Sequence, residues 1–118
     1  MARLRVSIVL ESGARIGPGK ISLLESIRDT GSISAAAREM GMSYKRAWLL
    51  LDSMNRAFRE PVLIAAPGGA GGGGATLTPF GAELLERYHC LLDKAAGQAV
   101  DDLAAIERAA LPDAGPKV

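Results

Sequence analysis

The chain has 118 residues, a single cysteine and a formal net charge of +1, and 48% of its residues are hydrophobic. This length predicts one domain that buries about two-thirds of its unfolded surface, and one cysteine excludes an internal disulfide. No apolar run approaches the roughly 20 residues of a membrane span and the start carries no export signal, so we expect a cytoplasmic protein with no membrane partner. Residues 1–67 carry ten Lys/Arg against six Asp/Glu, whereas residues 68–118 carry four against seven, so the positive charge lies in the first part of the chain.

The first thirty residues predict a strand followed by a helix. Residues 3–12 alternate apolar and polar side chains, and this period of two predicts a strand with one buried face. Its apolar members are Leu4, Val6, Ile8 and Leu10. Arg15 and Ile16 form either a brief second strand or a lead into Pro18, which suits the first turn of a helix. The helical spacing of Ile21, Leu24 and Ile27 continues this helix to residue 30.

A short second helix is predicted between Ser34 and Gly41. Ser32 precedes it as an N-cap whose hydroxyl accepts backbone N–H bonds, and the alanine-rich run that follows has little side-chain entropy to lose. Gly41 ends the helix, because glycine adopts the left-handed C′ conformation without steric cost. A helix of this length is marginal alone, so we expect its small face, with Ala36 and Ala37, to pack closely on a neighbour.

A third helix is predicted over residues 44–58, with Ser43 as its N-cap. An apolar stripe at helical spacing gives this helix a core side. The stripe comprises Ala47, Leu51, Met54 and Phe58, and it is widened by Trp48 and Leu50. Leu49 and most polar residues face outward. The first turn presents two hydroxyls and two cations at the N-terminus of a helix, on Ser43, Tyr44, Lys45 and Arg46.

These two helices around Gly41 are typical of a helix-turn-helix. Recognition helices of that motif place such first-turn groups in the major groove of DNA, where arginine or lysine donates to guanine O6 and N7 and hydroxyls suit phosphates. Two helices with a glycine turn also occur in folds that bind no nucleic acid, and exposed lysines and arginines are usually solvated. The helix pair alone leaves both interpretations open.

The segment after the third helix predicts a glycine-rich hairpin. Residues 62–66 are an apolar strand, residues 68–74 are six glycines and one alanine, and residues 75–77 return as a second strand. A hairpin directly after a recognition helix is the wing of a winged helix-turn-helix. A tip without side chains lets backbone N–H groups approach a phosphate backbone or a minor groove. The alternative is a hairpin without a ligand, and the position after the helix pair favours the wing.

The last predicted helix starts at Thr78 and Pro79, an N-cap and a first-turn proline, and its apolar spacing continues to Ile106. It is longer than a domain of this size needs for its own core, so we expect it to join two copies of the chain in a symmetric dimer. The alternative is a helix folded back over the core in two pieces, with a kink at Gly97. We assign residues 1–110 to one domain and residues 111–118 to a flexible tail.

No constellation in the sequence indicates catalysis, a metal or a cofactor. His89 and Cys90 are adjacent on a predicted helix, so their side chains point about 100° apart, and no further ligands lie nearby in the sequence. Serine, histidine and acidic residues show no spacing that suggests a nucleophile and its base. We therefore expect a protein that is not an enzyme and that uses no cofactor.

The order of these elements resembles the N-terminal DNA-binding domain of ModE-type molybdate-responsive regulators over roughly residues 16–92. The most specific pieces are GSIS at 31–34, SYK at 43–45 followed by AW at 47–48, MN at 54–55, the glycine run 71–74, and LT at 77–78 with Gly81. LysR-type regulators share part of this layout. The resemblance implies a mainly α fold with a small β component. It is a winged helix-turn-helix with an N-terminal strand, a two-strand wing and a long C-terminal dimerisation helix.

By this resemblance the chain is a sequence-specific transcriptional regulator that binds double-stranded DNA as a homodimer, paired through its first strand and last helix. The predicted DNA contacts are Ser32, Ser34, Ser43, Tyr44, Lys45, Arg46, Leu49, Gly71, Gly72 and Gly73. Full-length members of the family continue into C-terminal modules that bind molybdate, so we expect no molybdate binding in these 118 residues. The alternative is an interaction module that pairs with a full-length molybdate regulator without contacting DNA, and the exposed Leu49 is its only support in the sequence.

Overall fold

The computed structural model describes residues 2–65 and 74–112. Within these ranges the elements are, in chain order, β1 (Ile8–Val9), β2 (Arg15–Ile16), α1 (Pro18–Thr30), α2 (Ile33–Glu39), α3 (Tyr44–Ala57), β3 (Leu63–Ala65), β4 (Ala75–Leu77), α4 (Pro79–Gln98) and α5 (Val100–Ala109). β1 pairs antiparallel with β2, and β3 pairs antiparallel with β4. This architecture confirms the mainly α class and the winged helix-turn-helix, with α2 and α3 as the helix pair and β3–β4 as the wing.

Helix α1 is the centre of the core. Pro18 occupies its first turn, and Gly31 ends it with a φ of 68°. Leu23, Leu24 and Ile27 on this helix have no exposed surface. Burying such side chains stabilises a fold by about 1.5–3 kcal/mol each relative to leaving them exposed. Because α1 contacts α2, α3, α4 and β4, it fixes the positions of the helix pair and of the wing together.

The turn between α2 and α3 is fixed by local hydrogen bonds. Gly41 has a φ of 67°, as a left-handed glycine at a helix end requires. Beside it the Met42 N–H donates to the Ala37 carbonyl at 3.0 Å. The Ser43 hydroxyl accepts from the Arg46 N–H at 3.1 Å, which makes Ser43 the N-cap that the sequence predicts. The direction of α3 is therefore set within a few residues of its start.

Small side chains let α2 and α3 pack at close range. Ala36 and Ala47 have no exposed surface, and Ala37 is 2% exposed, so the predicted small face of α2 is buried. The helix bounds differ little from the prediction. α2 starts at Ile33, one residue early, and α3 ends at Ala57.

The N-terminal strand is shorter than the sequence predicts. From residue 2 to residue 10 the side chains alternate between half-buried and exposed, as a period of two requires. The ladder is limited to two residue pairs, Ile8 with Ile16 and Val9 with Arg15. Because α1 begins at Pro18, β2 offers no further residues for pairing, and the rest of the strand has no ladder partner within the described chain.

The start of α4 packs against the residues that precede the wing. Thr78 Oγ1 accepts from the Gly81 N–H at 2.9 Å and donates to the Pro61 carbonyl at 2.6 Å. A Cβ at position 81 would collide with the carbonyl oxygen of Val62. Glycine is therefore required at this position because helix and backbone approach each other closely.

The predicted last helix is divided at Ala99. Its backbone there has φ −99° and ψ 2°, two residues after the predicted kink at Gly97. No residue of α5 is buried, so α5 extends away from the core instead of folding back over it. The longest dimension of the molecule is 54 Å, and its radius of gyration of 17.0 Å exceeds the roughly 13–14 Å of a compact domain of this length. We call α5 the C-terminal arm.

Candidate nucleic-acid interface

Helix α3 has a buried face and an exposed face. Ala47 and Met54 have no exposed surface and Leu51 is 2% exposed, so this side of the helix rests on the core. The four residues of the predicted first-turn set are all exposed: Ser43, Tyr44, Lys45 and Arg46. The amino-terminal end of α3 is therefore accessible in the described chain, as entry into a DNA groove requires.

The same end of α3 is electrostatically suited to an anion. Its first turn contains no acidic residue, and it carries the two cations Lys45 and Arg46. The unpaired backbone N–H groups of a helix start add a partial positive charge at the same place. Phosphate groups are therefore attracted to this end.

Two further residues continue the exposed face along the helix. Leu49 is 51% exposed, and the Arg56 side chain is 78% exposed and pairs with Asp52 at 3.2 Å. At 100° per residue, Lys45, Leu49 and Arg56 lie within about 40° of one another around the helix axis. They form one outward stripe, which begins with a cation, continues with an apolar side chain and ends with the Arg56–Asp52 ion pair.

The two serines predicted on α2 have different surroundings. Ser32 is half-buried, and its hydroxyl accepts from the Ala35 N–H at 3.1 Å, so it serves as the N-cap of α2. The Thr30 hydroxyl donates to the Ser32 carbonyl at 3.2 Å and holds the same turn. Ser34 is exposed in the first turn of α2. Of the two, Ser34 has the hydroxyl that is open to solvent.

The wing is tied to α3 and to the turn between α1 and α2. Asn55 on α3 accepts through Oδ1 from the Val62 N–H at 2.8 Å and the Leu63 N–H at 3.3 Å, and its Nδ2 donates to the Leu63 carbonyl at 3.3 Å. On the other strand, the Ala75 N–H donates to the Gly31 carbonyl at 3.0 Å, just before α2. Since the strands are fixed at both sides, the wing keeps one orientation relative to α3.

The role of Asn55 cannot be read from helical spacing, although the sequence singles out the Met54–Asn55 pair as a motif. The bonds that Asn55 makes reach seven and eight residues ahead, into a strand whose position depends on the whole fold. The wing tip carries three further predicted contacts, Gly71, Gly72 and Gly73, and these lie outside the described residues.

Trp48 is the residue for which the core prediction is wrong. Instead of widening the buried stripe it is 46% exposed. It lines a crevice of about 90 Å³ between α3 and β3, together with Ile33, Leu51 and Leu63. The reason is geometric: Trp48 follows Tyr44 by one helical turn, and this side of α3 faces the wing instead of the core. The spacing of four residues from Tyr44 is the signal that places it on an exposed flank.

The described residues contain no group of three or more His, Cys, Asp or Glu side chains arranged to hold a metal ion. His89 Nε2 lies 2.7 Å from a carboxylate oxygen of Glu25, and this contact ties α4 to α1. Cys90 is exposed.

In the part of the chain that the structure describes, none of the helices combines the length and apolar character of a bilayer span.

Known proteins resemble this chain in the same region. Residues 19–82 match the family described as bacterial regulatory helix-turn-helix protein, lysR family. MopB of Rhodobacter capsulatus, a molybdenum-pterin-binding protein, is 55% identical over 82 residues, which cover 69% of this chain and 30% of MopB. MopA of the same organism, also described as molybdenum-pterin-binding, is 39% identical over 107 residues, which cover 88% of this chain and 40% of MopA.

A third relative, the DNA-binding transcriptional dual regulator ModE of Escherichia coli (strain K12), is 39% identical over 90 residues, or 76% of this chain and 34% of ModE. The chain thus spans between 30% and 40% of the length of these relatives. The matched region contains the helix pair and both wing strands. The chain belongs to the lysR family of bacterial regulatory helix-turn-helix proteins, and its helix-turn-helix domain is of the ModE type.

Proposed function

We propose that this chain is a sequence-specific, DNA-binding transcriptional regulator that acts as a homodimer and has no catalytic activity. The observation that carries the proposal is the accessible first turn of α3, with two hydroxyls and two cations on a helix whose other face is buried. Membership of the lysR family and the similarity to the DNA-binding transcriptional dual regulator ModE of E. coli support the same function.

The exposed side chains of α3 suggest a division of roles. Lys45 and Arg46 donate to guanine O6 and N7 in the major groove, and Leu49 contacts a thymine methyl group. The hydroxyls of Ser43, Tyr44 and Ser34 donate to phosphate oxygens and fix the orientation of the helix pair on the duplex.

The wing contacts the neighbouring backbone in this proposal. Asn55 and the Ala75–Gly31 bond orient the two strands relative to α3, so that the glycine tip, with Gly71, Gly72 and Gly73, lies against the sugar–phosphate chain. Backbone N–H groups without side chains approach phosphates closely, and they carry no base preference.

Dimerisation is supported by the surface of the C-terminal arm. Val100 is 58% exposed and Ile106 is 66% exposed, which leaves apolar area in water. A groove of about 430 Å³ runs between the N-terminal segment and the last two helices, lined by Leu4, Leu92 and Leu103 among others. A second copy of the same surface covers both regions about a two-fold axis. Half-sites then lie one helical turn of DNA, or a multiple of it, apart.

The regulated process is proposed to concern molybdenum, because MopA and MopB are described as molybdenum-pterin-binding and one further relative as a molybdenum transport protein. These 118 residues supply the DNA-contacting part in this proposal. The molybdenum signal then reaches them from outside this segment.

The test starts with selection of duplexes from a random pool by the full chain. Fluorescence anisotropy then measures the affinity for the selected duplex at two or more salt concentrations, because phosphate contacts make affinity fall with salt. Arg46→Ala should cost about 1–3 kcal/mol and relax the preference at one base position. Lys94→Ala, which removes an exposed cation from α4, is the matched control and should change affinity little.

If selection enriches no duplex, DNA recognition by this chain is excluded. If Arg46→Ala and Lys94→Ala weaken binding equally, α3 is not the recognition helix. The alternative function is an interaction module that pairs with a longer relative through the arm. Its signature is a mixed dimer on co-purification, together with no DNA binding by the pure chain.

A further inference from the structure

Trp48 is the only tryptophan of the chain, and nearly half of it is exposed. Tryptophan has a large apolar ring and one N–H donor, and it usually finds an apolar neighbour for the ring and an acceptor for the N–H. The ring of Trp48 has its neighbours on the crevice walls, Ile33 and Leu63. Among the described residues, however, the indole N–H makes no hydrogen bond. The exposed edge of this side chain is therefore available to an acceptor outside the chain.

The position of Trp48 indicates which kind of acceptor comes close. It lies at about 100° around α3 from Leu49, so it is on the flank of the outward stripe and next to β3. Asp52 also lines this crevice, but its carboxylate is paired with Arg56 at 3.2 Å, so the local negative charge is balanced. In the proposed complex, with α3 in the major groove and the wing alongside, one strand of the duplex passes between the two elements.

We infer that Trp48 is a backbone contact for that strand. The indole ring packs on a deoxyribose, and the Nε1–H donates to a phosphate oxygen in the crevice between α3 and β3. This inference rests on the proposed DNA-binding function and adds a residue that the apolar stripe of α3 predicts to be in the core. A contact to sugar and phosphate fixes the register of the protein and is insensitive to the base sequence.

The unique tryptophan makes a direct experiment possible, because its fluorescence reports on this site alone without a label. Acrylamide quenching of the full wild-type chain is measured with and without the selected duplex. The duplex concentration is one at which anisotropy shows that all of the protein is bound. The expected result is a several-fold smaller quenching constant in the complex. This readout needs no variant, so it holds even if substitutions at position 48 unfold the chain.

The second arm of the experiment uses Trp48→Phe, which keeps an aromatic ring and removes the N–H donor. It should weaken binding about tenfold, since hydrogen bonds to charged groups are among the stronger ones. The loss should be equal on the selected duplex and on single-base variants of it. Lys94→Ala, which retains Trp48, is the control for binding and quenching.

Each other result overturns the inference in a distinguishable way. If the chain binds the duplex and quenching is unchanged, Trp48 does not contact DNA, and the proposed function still stands. A changed base preference in Trp48→Phe makes it a base contact. If quenching of Trp48 decreases as the protein concentration rises in the absence of DNA, Trp48 lies in a contact between two copies of the chain. Failure to bind any duplex removes the inference and the proposed function together.

Discussion

The wing side of the molecule and its C-terminal arm are built in contrasting ways. On the wing side, Asn55 ties α3 to β3, the Ala75 N–H ties β4 to Gly31, and the inner face of α3 is buried. The arm contains no buried residue, and it exposes Val100 and Ile106. One region has a buried face and is held by these hydrogen bonds, although Trp48, Leu49 and Ile64 are exposed on it. The other region has exposed apolar side chains and no buried face.

In the proposed dimer, this difference separates what one copy of the chain does alone from what requires a second copy. Substitutions on the wing side should change the free energy of unfolding of a single chain. Substitutions on the arm should change association and leave the single chain folded. The following predictions are ordered by the size of the expected effect.

Ile106→Asp should weaken the proposed dimer by about 4 kcal/mol, because each copy loses a buried apolar side chain worth about 1.5–3 kcal/mol and the loss counts twice in a symmetric pair. Size exclusion with light scattering checks the mass. Ala105→Asp is the matched control, since it adds the same charge to an exposed position of the arm on the side away from Val100 and Leu103. Unchanged mass in Ile106→Asp would remove the arm from the dimer interface.

Gly81→Ala should destabilise the single chain by about 3 kcal/mol and lower Tm by roughly 10–15 °C, because the added Cβ meets the Val62 carbonyl and backbone must move. Gly97→Ala lies in the same helix with open space around it, so it should leave Tm unchanged or raise it slightly. Thermal unfolding followed by circular dichroism distinguishes the two. Equal melting temperatures would contradict the close packing of α4 on the residues before the wing.

Asn55→Ala should cost about 2 kcal/mol in unfolding, because the Val62 N–H is buried and would lose its acceptor. Ser53→Ala is the control on the same helix: its hydroxyl donates only to the local Leu50 carbonyl, so removal should stay within about 0.5 kcal/mol. Urea unfolding gives both values. If the two variants were equally stable, Asn55 would not be the tie between α3 and the wing.

Ser32→Ala should cost about 1 kcal/mol in unfolding through loss of the α2 N-cap. Ser34→Ala should leave stability unchanged and lower DNA affinity instead, since its hydroxyl is exposed and is proposed to contact phosphate. Paired unfolding and anisotropy measurements separate the two serines. A stability loss in Ser34→Ala as large as that in Ser32→Ala would show that Ser34 is structural.

Local signals account for the parts of the fold that the sequence predicts. The turn at Gly41 and the helix caps at Ser43 and Thr78 involve groups within a few residues along the chain, so they are visible in the sequence. The wing strands are also predicted nearly to the residue, because a glycine run separates two apolar segments.

The parts that the sequence does not predict depend on distant neighbours. Helical spacing places Trp48 beside the apolar stripe of α3. Only the position of β3, which the sequence does not give, makes Trp48 part of a crevice. The need for glycine at position 81 arises from Val62, nineteen residues earlier. The ladder of the N-terminal strand starts only at Ile8, because residues before it would have to pair with Gly17 and Pro18, where α1 begins. Tertiary contacts of this kind override local preference.

The groove beside the arm also determines where a fusion partner would lie. Ala2 and Leu4 line this groove together with Val100 and Leu103, so the first described residues and the final helix are neighbours. A purification tag, a fluorescent protein or a sensory module attached before Ala2 would therefore emerge beside the surface proposed for pairing. In the proposed regulator, such an attachment would act on gene control by altering how two copies come together.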